Sequence, residues 1–297
     1  MTIAARNIVK RFGGLEVLRG LNLSVPAGSA YAFIGANGAG KTTAIKIFMN
    51  LITADTGEAF VLGVESRKLS PRELARIGYV SENQVMSAAM TTASYLDYLR
   101  PLYATWDAAL EKELLASFTL PGERRIGDLS HGMRIKLALT AALAFRPALL
   151  VLDEPFSGVD AAVRDELLAG LLRQAGDTTI FVSSHELAEI ESLVSHVGYL
   201  EDGRLLFEDT VESMNARFRG VRVVLEGAAE VPPDAPASWL DLAATGSVLS
   251  FVDSGFCEAE LNGRLAALPG TIRRVEIEPV ALRSVFTALA RTARNNG

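Results

Sequence analysis

The segment AYAFIGANGAGKTTAIKIF, Ala30 to Phe48, most constrains what this chain can fold into. A short apolar run, a glycine-rich turn and a helix-like stretch follow one another without a gap. Gly35 to Thr43 fits G-x-x-x-x-G-K-[ST], and a preceding strand with a following helix is the context this motif requires. Glycines let successive backbone N–H groups close around phosphate oxygens, and the start of the helix adds the positive end of its dipole. Gly35, Asn37, Gly38, Gly40, Lys41, Thr42 and Thr43 are therefore the candidate nucleotide-binding residues. Lys41 would reach the β- and γ-phosphates of a nucleoside triphosphate, and the Thr42 hydroxyl would ligate Mg²⁺.

Asp153-Glu154 closes a second apolar run, ALLVL at 148–152. Open α/β sheets bind ligands at the C-terminal ends of their strands, which places both carboxylates near the phosphate loop. Asp153 is the candidate Mg²⁺-binding carboxylate and Glu154 the group that polarises the attacking water. The alternative is that the pair caps the following turn.

Other elements fit the same plan. LNLSV precedes a Pro-Ala-Gly turn, and Ser70, Pro71 and Glu73 form a capping-box pattern that opens a short helix before a strand at Ile77–Val80. Residues 94–120 read as helical, as do 161–174 and a segment starting at Glu186, with the strand TTIFVSS between these last two. Short apolar strands alternating with helices predict an α/β fold with a mostly parallel sheet. After Asp202-Gly203 the texture changes. VRVVLEG reads as a strand and AAEVPPDAPAS as a connection, followed by a strand at 247–252, a helix at 257–267, a strand at 271–278 and a helix at 279–294. These place a domain boundary near Phe218–Gly220: a large domain over 1–218 and a small α+β one over 219–297. In the final helix Leu282, Val285, Phe286 and Leu289 lie at helical spacing, which predicts packing on the large domain or on a second copy.

Bulk properties narrow the function classes. Acidic residues outnumber basic ones, 35 to 29, giving a net charge of −6, so no nucleic-acid partner is expected. The longest apolar run is interrupted by Arg146-Pro147, so any membrane spans must come from another chain. One cysteine, Cys257, excludes an internal disulfide framework, fits a reducing compartment and is expected to be buried.

GANGAGKTT, LSHGM, LLVLDEPFSGVD and SSH, in that order, resemble the ATP-binding cassette of ABC transporters, of the exporter-like or ABC-2 type, over about residues 1–215. The resemblance implies the P-loop NTPase cassette fold, with an antiparallel β part and a helical subdomain at about 83–146. It also implies a head-to-tail dimer, with itself or with a paired second cassette, that hydrolyses ATP with Mg²⁺. Ser130, His131, Gly132 and Asp160 would then contact the nucleotide of the partner subunit. His185 matches the histidine that contacts the γ-phosphate, and Phe12 the aromatic that stacks on adenine. Read without the family, LSHGM is equally a plain helix cap, Phe12 a core aromatic, and Asp160 a helix cap. His196 has no match and is expected at the surface or a helix end.

Two positions depart from the family. His131 and Met133 stand where the usual signature has Gly and Gln. A side chain at 131 restricts the backbone, so His131→Gly is expected to keep or raise activity. Glu82 stands where many cassettes have glutamine; it is the remaining candidate catalytic and metal-binding residue, and Asn83 or Gln84 can supply the amide instead. The resemblance further implies transmembrane permease subunits on a separate chain, docked on residues 85–106, and a cytoplasmic location on the inner face of the cell membrane. Met86, Met90, Tyr95, Tyr98 and Trp106 in that segment fit either docking or the subdomain's own core. A soluble ABC-type ATPase acting on ribosomes or DNA is the alternative, disfavoured by one cassette per chain and by only about 85 residues between Thr43 and Asp128, too few for long coiled-coil arms. A kinase using the same loop would leave LSHGM and SSH unexplained.

Overall fold

A computed structural model describes residues 1–173 and 178–295. The chain forms two compact units, Met1–Glu208 and Asp209–Gly297. The division falls before the Phe218–Gly220 boundary expected from sequence texture, because the helix that follows Thr210 belongs to the second unit.

The first unit runs β1 (Ile3–Phe12), β2 (Leu15–Val25), β3 (Ala30–Ile34), α1 (Lys41–Phe48), β4 (Thr56–Val61), β5 (Val64–Glu65), α2 (Pro71–Leu74) and β6 (Ile77–Ser81). It continues through α3 (Thr92–Leu99), α4 (Ala108–Ser117), α5 (His131–Leu143), β7 (Leu149–Asp153), α6 (Ala161–Leu172), β8 (Thr179–Ser184), β9 (His196–Glu201) and β10 (Arg204–Thr210). Six strands form one sheet in the order β10-β9-β3-β8-β7-β6, and β9, β3, β8, β7 and β6 pair in parallel. Its central strands β3, β7 and β8 are buried throughout. That is why their sequences are unbroken small or apolar runs rather than alternations. A second, antiparallel sheet has the order β2-β1-β4-β5, and its two long strands alternate between buried and exposed positions. Ile3, Ile8, Leu21, Phe33, Ile45, Phe48, Val151 and Phe181 join both sheets and α1 in one core. The mostly parallel core, the antiparallel part and the helical part are those the resemblance implies.

Capping residues place the helices. Ser70 accepts from Arg72 N–H while Glu73 reaches back to Ser70 N–H, the expected capping box. The stretch expected as one helical region at 94–120 is two helices. Pro101 sits in a tight turn, Arg100–Leu102, and Asp107 starts α4 afresh by accepting from Ala109 and Leu110 N–H. The helix expected from Glu186 is a single 3₁₀ turn, Leu187–Glu189. Ser184 Oγ accepts from Glu186 N–H there, a local side-chain bond that competes with helix continuation.

The second unit holds α7 (Val211–Arg217), β11 (Arg219–Leu225), β12 (Trp239–Thr245), β13 (Val248–Asp253), α8 (Glu258–Ala266), β14 (Ile272–Pro279) and α9 (Leu282–Asn295). Its antiparallel sheet has the order β12-β13-β11-β14, and Val223, Trp239, Leu249, Phe251, Leu261 and Leu265 form its core. The sequence reading missed β12, whose apolar start at Trp239 directly follows the proline-rich connection. Within this unit α9 is tied to β12 by a two-pronged ion pair, Arg291 to Asp241 at 2.7 and 2.8 Å. Cys257 is exposed, not buried, because it precedes α8 outside the stripe that carries Leu261 and Leu265.

Candidate nucleotide-binding and hydrolysis site

The phosphate loop joins the end of β3 to the start of α1. Gly35 is required by close approach: a Cβ there would lie 2.4 Å from the Leu200 carbonyl oxygen. Gly40 precedes α1 at φ +109°, where a Cβ would also meet Leu18 at 2.8 Å. Asn37 and Gly38 are exposed at the crown of the loop. Lys41 is only 5% exposed. Its Nζ donates to the Gly35 and Ala36 carbonyls at 2.6 and 3.2 Å, so the ammonium is held under the loop.

Parallel pairing brings the carboxylates to this loop. Asp153 lies opposite Ser183 of β8 and Ser81 of β6. Its Oδ1 accepts from Ser183 Oγ at 2.8 Å and from Thr42 Oγ1 at 3.1 Å. Burial raises the Asp153 pKa above the ordinary carboxylate value; the Ser183 and Thr42 bonds oppose the shift, the Glu154 charge adds to it and Lys41 opposes it. Glu154 adopts φ +50°, a left-handed conformation that costs on the order of 1–3 kcal/mol in a non-glycine residue. Its N–H donates to Ser183 Oγ at 3.0 Å, which holds the turn in place. Its two carboxylate oxygens face different side chains. Oε1 is 3.0 Å from Lys41 Nζ, an ion pair without an aligned hydrogen bond, and Oε2 accepts from His185 Nδ1 at 2.9 Å. A carboxylate only accepts, so Nδ1 carries the proton and Nε2 is the ring nitrogen left for another partner.

Lys41, Thr42, Asp153, Glu154 and His185 are thus one constellation, as the sequence motifs imply. Ser183 joins it and was missed as a site residue; its signal is its place in SSH, opposite Asp153 on the neighbouring parallel strand. Glu82 contributes differently. Its backbone N–H donates to the Asp153 carbonyl at 2.9 Å, but its carboxylate is exposed. Phe12 sits beside the Gly13-Gly14 turn, 49% exposed, with Lys10 Nζ 5.3 Å from its ring centre. It is a surface platform rather than a core aromatic.

Ser130, His131, Gly132 and Asp160 form a second group, where α5 and α6 begin. Ser130 caps α5 and accepts from Met133 N–H at 3.2 Å; Asp160 caps α6 and accepts from Val163 N–H at 3.0 Å. His131 is the first residue of α5 and is absent from the positive-φ positions, so its side chain costs no backbone strain. Gly132 is the position that must stay small, since a Cβ would lie 2.9 Å from Val163. Lys136 further along α5 pairs with Glu166 of α6.

Packing places two further residues. Trp106 is tied into the helical part: its indole N–H donates to Glu111 at 2.7 Å, and Glu111 also pairs with Arg100. His196 begins β9 rather than ending a helix, and its ring stacks on Tyr31.

The donor set fits Mg²⁺. The Thr42 hydroxyl and the Asp153 carboxylate are hard oxygen ligands side by side, and Mg²⁺ takes one or two carboxylates plus phosphate oxygens rather than a full protein cage.

A strand–glycine loop–helix joined to a carboxylate-ended parallel strand defines a P-loop nucleoside triphosphatase. The family model described as "ABC transporter" matches residues 18–157. The chain is 33% identical over 205 residues to the ABC transporter ATP-binding protein YtrB of Bacillus subtilis, covering 68% of this chain and 70% of that protein. It is 31% identical over 287 residues to the daunorubicin resistance ATP-binding protein DrrA3 of Streptomyces coeruleorubidus, covering 92% of this chain and 89% of the relative. Among solved structures, an ATP-binding subunit of an ABC transporter superposes with a TM-score of 0.66 at 25% identity, over 73% of this chain and 92% of that one. The chain belongs to the ATP-binding subunits of ABC transporters. It binds and hydrolyses ATP.

Proposed function

We propose that this subunit works as a head-to-tail pair of cassettes beneath separate transmembrane chains, on the inner face of a membrane, in an exporter-type system. The carrying observation is the division of its motifs into two groups. Lys41, Thr42, Asp153, Glu154 and His185 surround one phosphate loop. Ser130, Gly132 and Asp160 instead stand at the starts of α5 and α6. A helix start offers N–H groups and a positive dipole to an anion. In a head-to-tail pair that anion is the γ-phosphate held by the other copy.

In this reading the loop glycines and Lys41 bind the phosphates, and Phe12 stacks on adenine. Thr42 and Asp153 would hold Mg²⁺, which when bound would offset phosphate charge. Glu154 accepts a proton from the attacking water, oriented by the His185 N–H on its other oxygen. Positioning and charge, rather than covalent chemistry, carry the reaction.

The transmembrane partner would dock on the helical part. Tyr79, Tyr95, Leu99, Tyr103 and Phe145 line a cavity of about 220 Å³ there, with Gln84 at its wall. Tyr98 is 63% exposed nearby in sequence, an aromatic with no burial in this chain to explain it. No helix among the described residues is long and apolar enough to cross a membrane. Two relatives are named for daunorubicin resistance and one for YtrB, and the first name supports the exporter direction.

The test is affinity purification of tagged Glu154→Gln protein with ATP, from solubilised membranes and from the soluble fraction separately. A hydrophobic multi-span chain recovered from the membranes is expected. Recovery only with ribosomes or DNA would put the soluble ATPase in its place.

A further inference from the structure

His131 Nε2 lies 3.1 Å from the carbonyl oxygen of Ser157. A carbonyl only accepts, so Nε2 carries the proton and donates. The bond spans two elements that the head-to-tail reading sends to the other nucleotide: the start of α5 and the 157–160 loop. Gly158 follows in the left-handed region at φ +67°, and a Cβ there would just touch the imidazole at 4.0 Å. The contact continues inward. Ser157 N–H donates to the Glu154 carbonyl at 3.3 Å, so one peptide unit's neighbours link the imidazole to the backbone of the hydrolytic carboxylate. Deeper in the same region, Gly132 lies against Val163 and Lys136 pairs with Glu166, so α5 meets α6 at two levels beneath the His131–Ser157 bond.

We propose that His131 is a positioning residue that couples the two nucleotide sites of the pair. It ties the α5 start, which serves the partner's ATP, to the turn that sets Glu154 beside its own ATP. The inference rests on the head-to-tail reading above. It also reverses the expectation drawn from sequence, in which His131 only obstructs and glycine would serve as well or better. A glycine there lacks the donor and leaves the Ser157 carbonyl to solvent.

The test compares His131→Leu and His131→Ala, which remove the donor, with His131→Gln, whose amide N–H can reach the same carbonyl. His131 is exposed at a helix start, so all three are expected to fold. Both donor-less variants should lose about tenfold in kcat, the scale of one hydrogen bond, with a Hill coefficient for ATP falling towards 1. Their affinity for a fluorescent ATP analogue, measured on the dilute monomer, should not change. His131→Gln should recover most of the kcat and the cooperativity. Wild-type kcat and cooperativity in His131→Leu and His131→Ala, or an equal loss in His131→Gln, would overturn the proposal. A control separates it from its foundation: Glu154→Gln with His131 intact should dimerise with ATP on size-exclusion chromatography. A persistent monomer would remove the head-to-tail reading itself, and the coupling with it.

Discussion

Glu154 is held between two side chains: Lys41 stands 3.0 Å from one carboxylate oxygen and His185 Nδ1 stands 2.9 Å from the other. The pairing fixes the carboxylate without using it up, because Oε1 has the Lys41 charge beside it but no aligned hydrogen bond. In the proposed mechanism Glu154 is the general base, and a carboxylate fixed on both sides suits that role. Glu154→Gln keeps the shape and removes the basicity. Turnover should fall by roughly 10²–10⁴, the range for removing a general base, while ATP binding persists. Steady-state hydrolysis and equilibrium nucleotide binding on the same preparation check both halves.

Asp153 makes the opposite trade between stability and function. Burial raises its pKa in the folded chain above the unfolded value, so the protonated form is favoured by folding. Below the unfolded pKa the group contributes its full stability, and that contribution is lost as pH rises through the folded pKa. Near neutrality the ionised carboxylate is therefore a cost. Asp153→Asn should raise the thermal midpoint measured at pH 7 without nucleotide or Mg²⁺, and should abolish Mg²⁺-dependent hydrolysis. The gain in midpoint should shrink in acid, where wild-type Asp153 is protonated as well.

Gly40 tests the loop through its backbone. Any side chain there must accept φ +109° and a 2.8 Å contact with Leu18. Gly40→Ala should cost about 1–3 kcal/mol of stability by chemical denaturation. It should also weaken ATP binding, since the displaced loop no longer presents its N–H groups together.

Aromatic residues of the helical part separate into structure and surface. Trp106→Phe deletes the indole N–H that donates to buried Glu111 and should cost about 1–3 kcal/mol in denaturant, with basal ATPase of the isolated protein little changed. Tyr98→Ala removes an exposed ring and should leave the unfolding midpoint within error, while reducing recovery of the membrane partner in the affinity purification.

Much of the catalytic site was readable in order along the chain. Lys41 and Thr42 are fixed by a loop whose neighbours are local, Asp153 ends a short strand, and Glu154 and His185 each directly follow one. A strand end is a local signal, and parallel pairing then gathers such ends at one edge of the sheet. Elements whose length depends on competing local bonds were less readable. The segment after Glu186 carries helix-forming residues, yet the Ser184 hydroxyl takes the Glu186 N–H and only one 3₁₀ turn forms. β12 was hidden because its strand character comes from pairing with β13, which begins directly after a two-residue turn.

The sequence by itself determined that this chain closes a phosphate loop, places carboxylates at its rim and carries a helix start suited to an anion. Those properties depend on residue type within a few positions, where glycine conformation, capping and strand length act. Only the tertiary structure decided what His131 does, that Ser183 supports both Asp153 and Glu154, and that α9 is tied to β12. Each depends on atoms brought within about 3 Å from distant parts of the chain, and hydrogen bonds form only at such range.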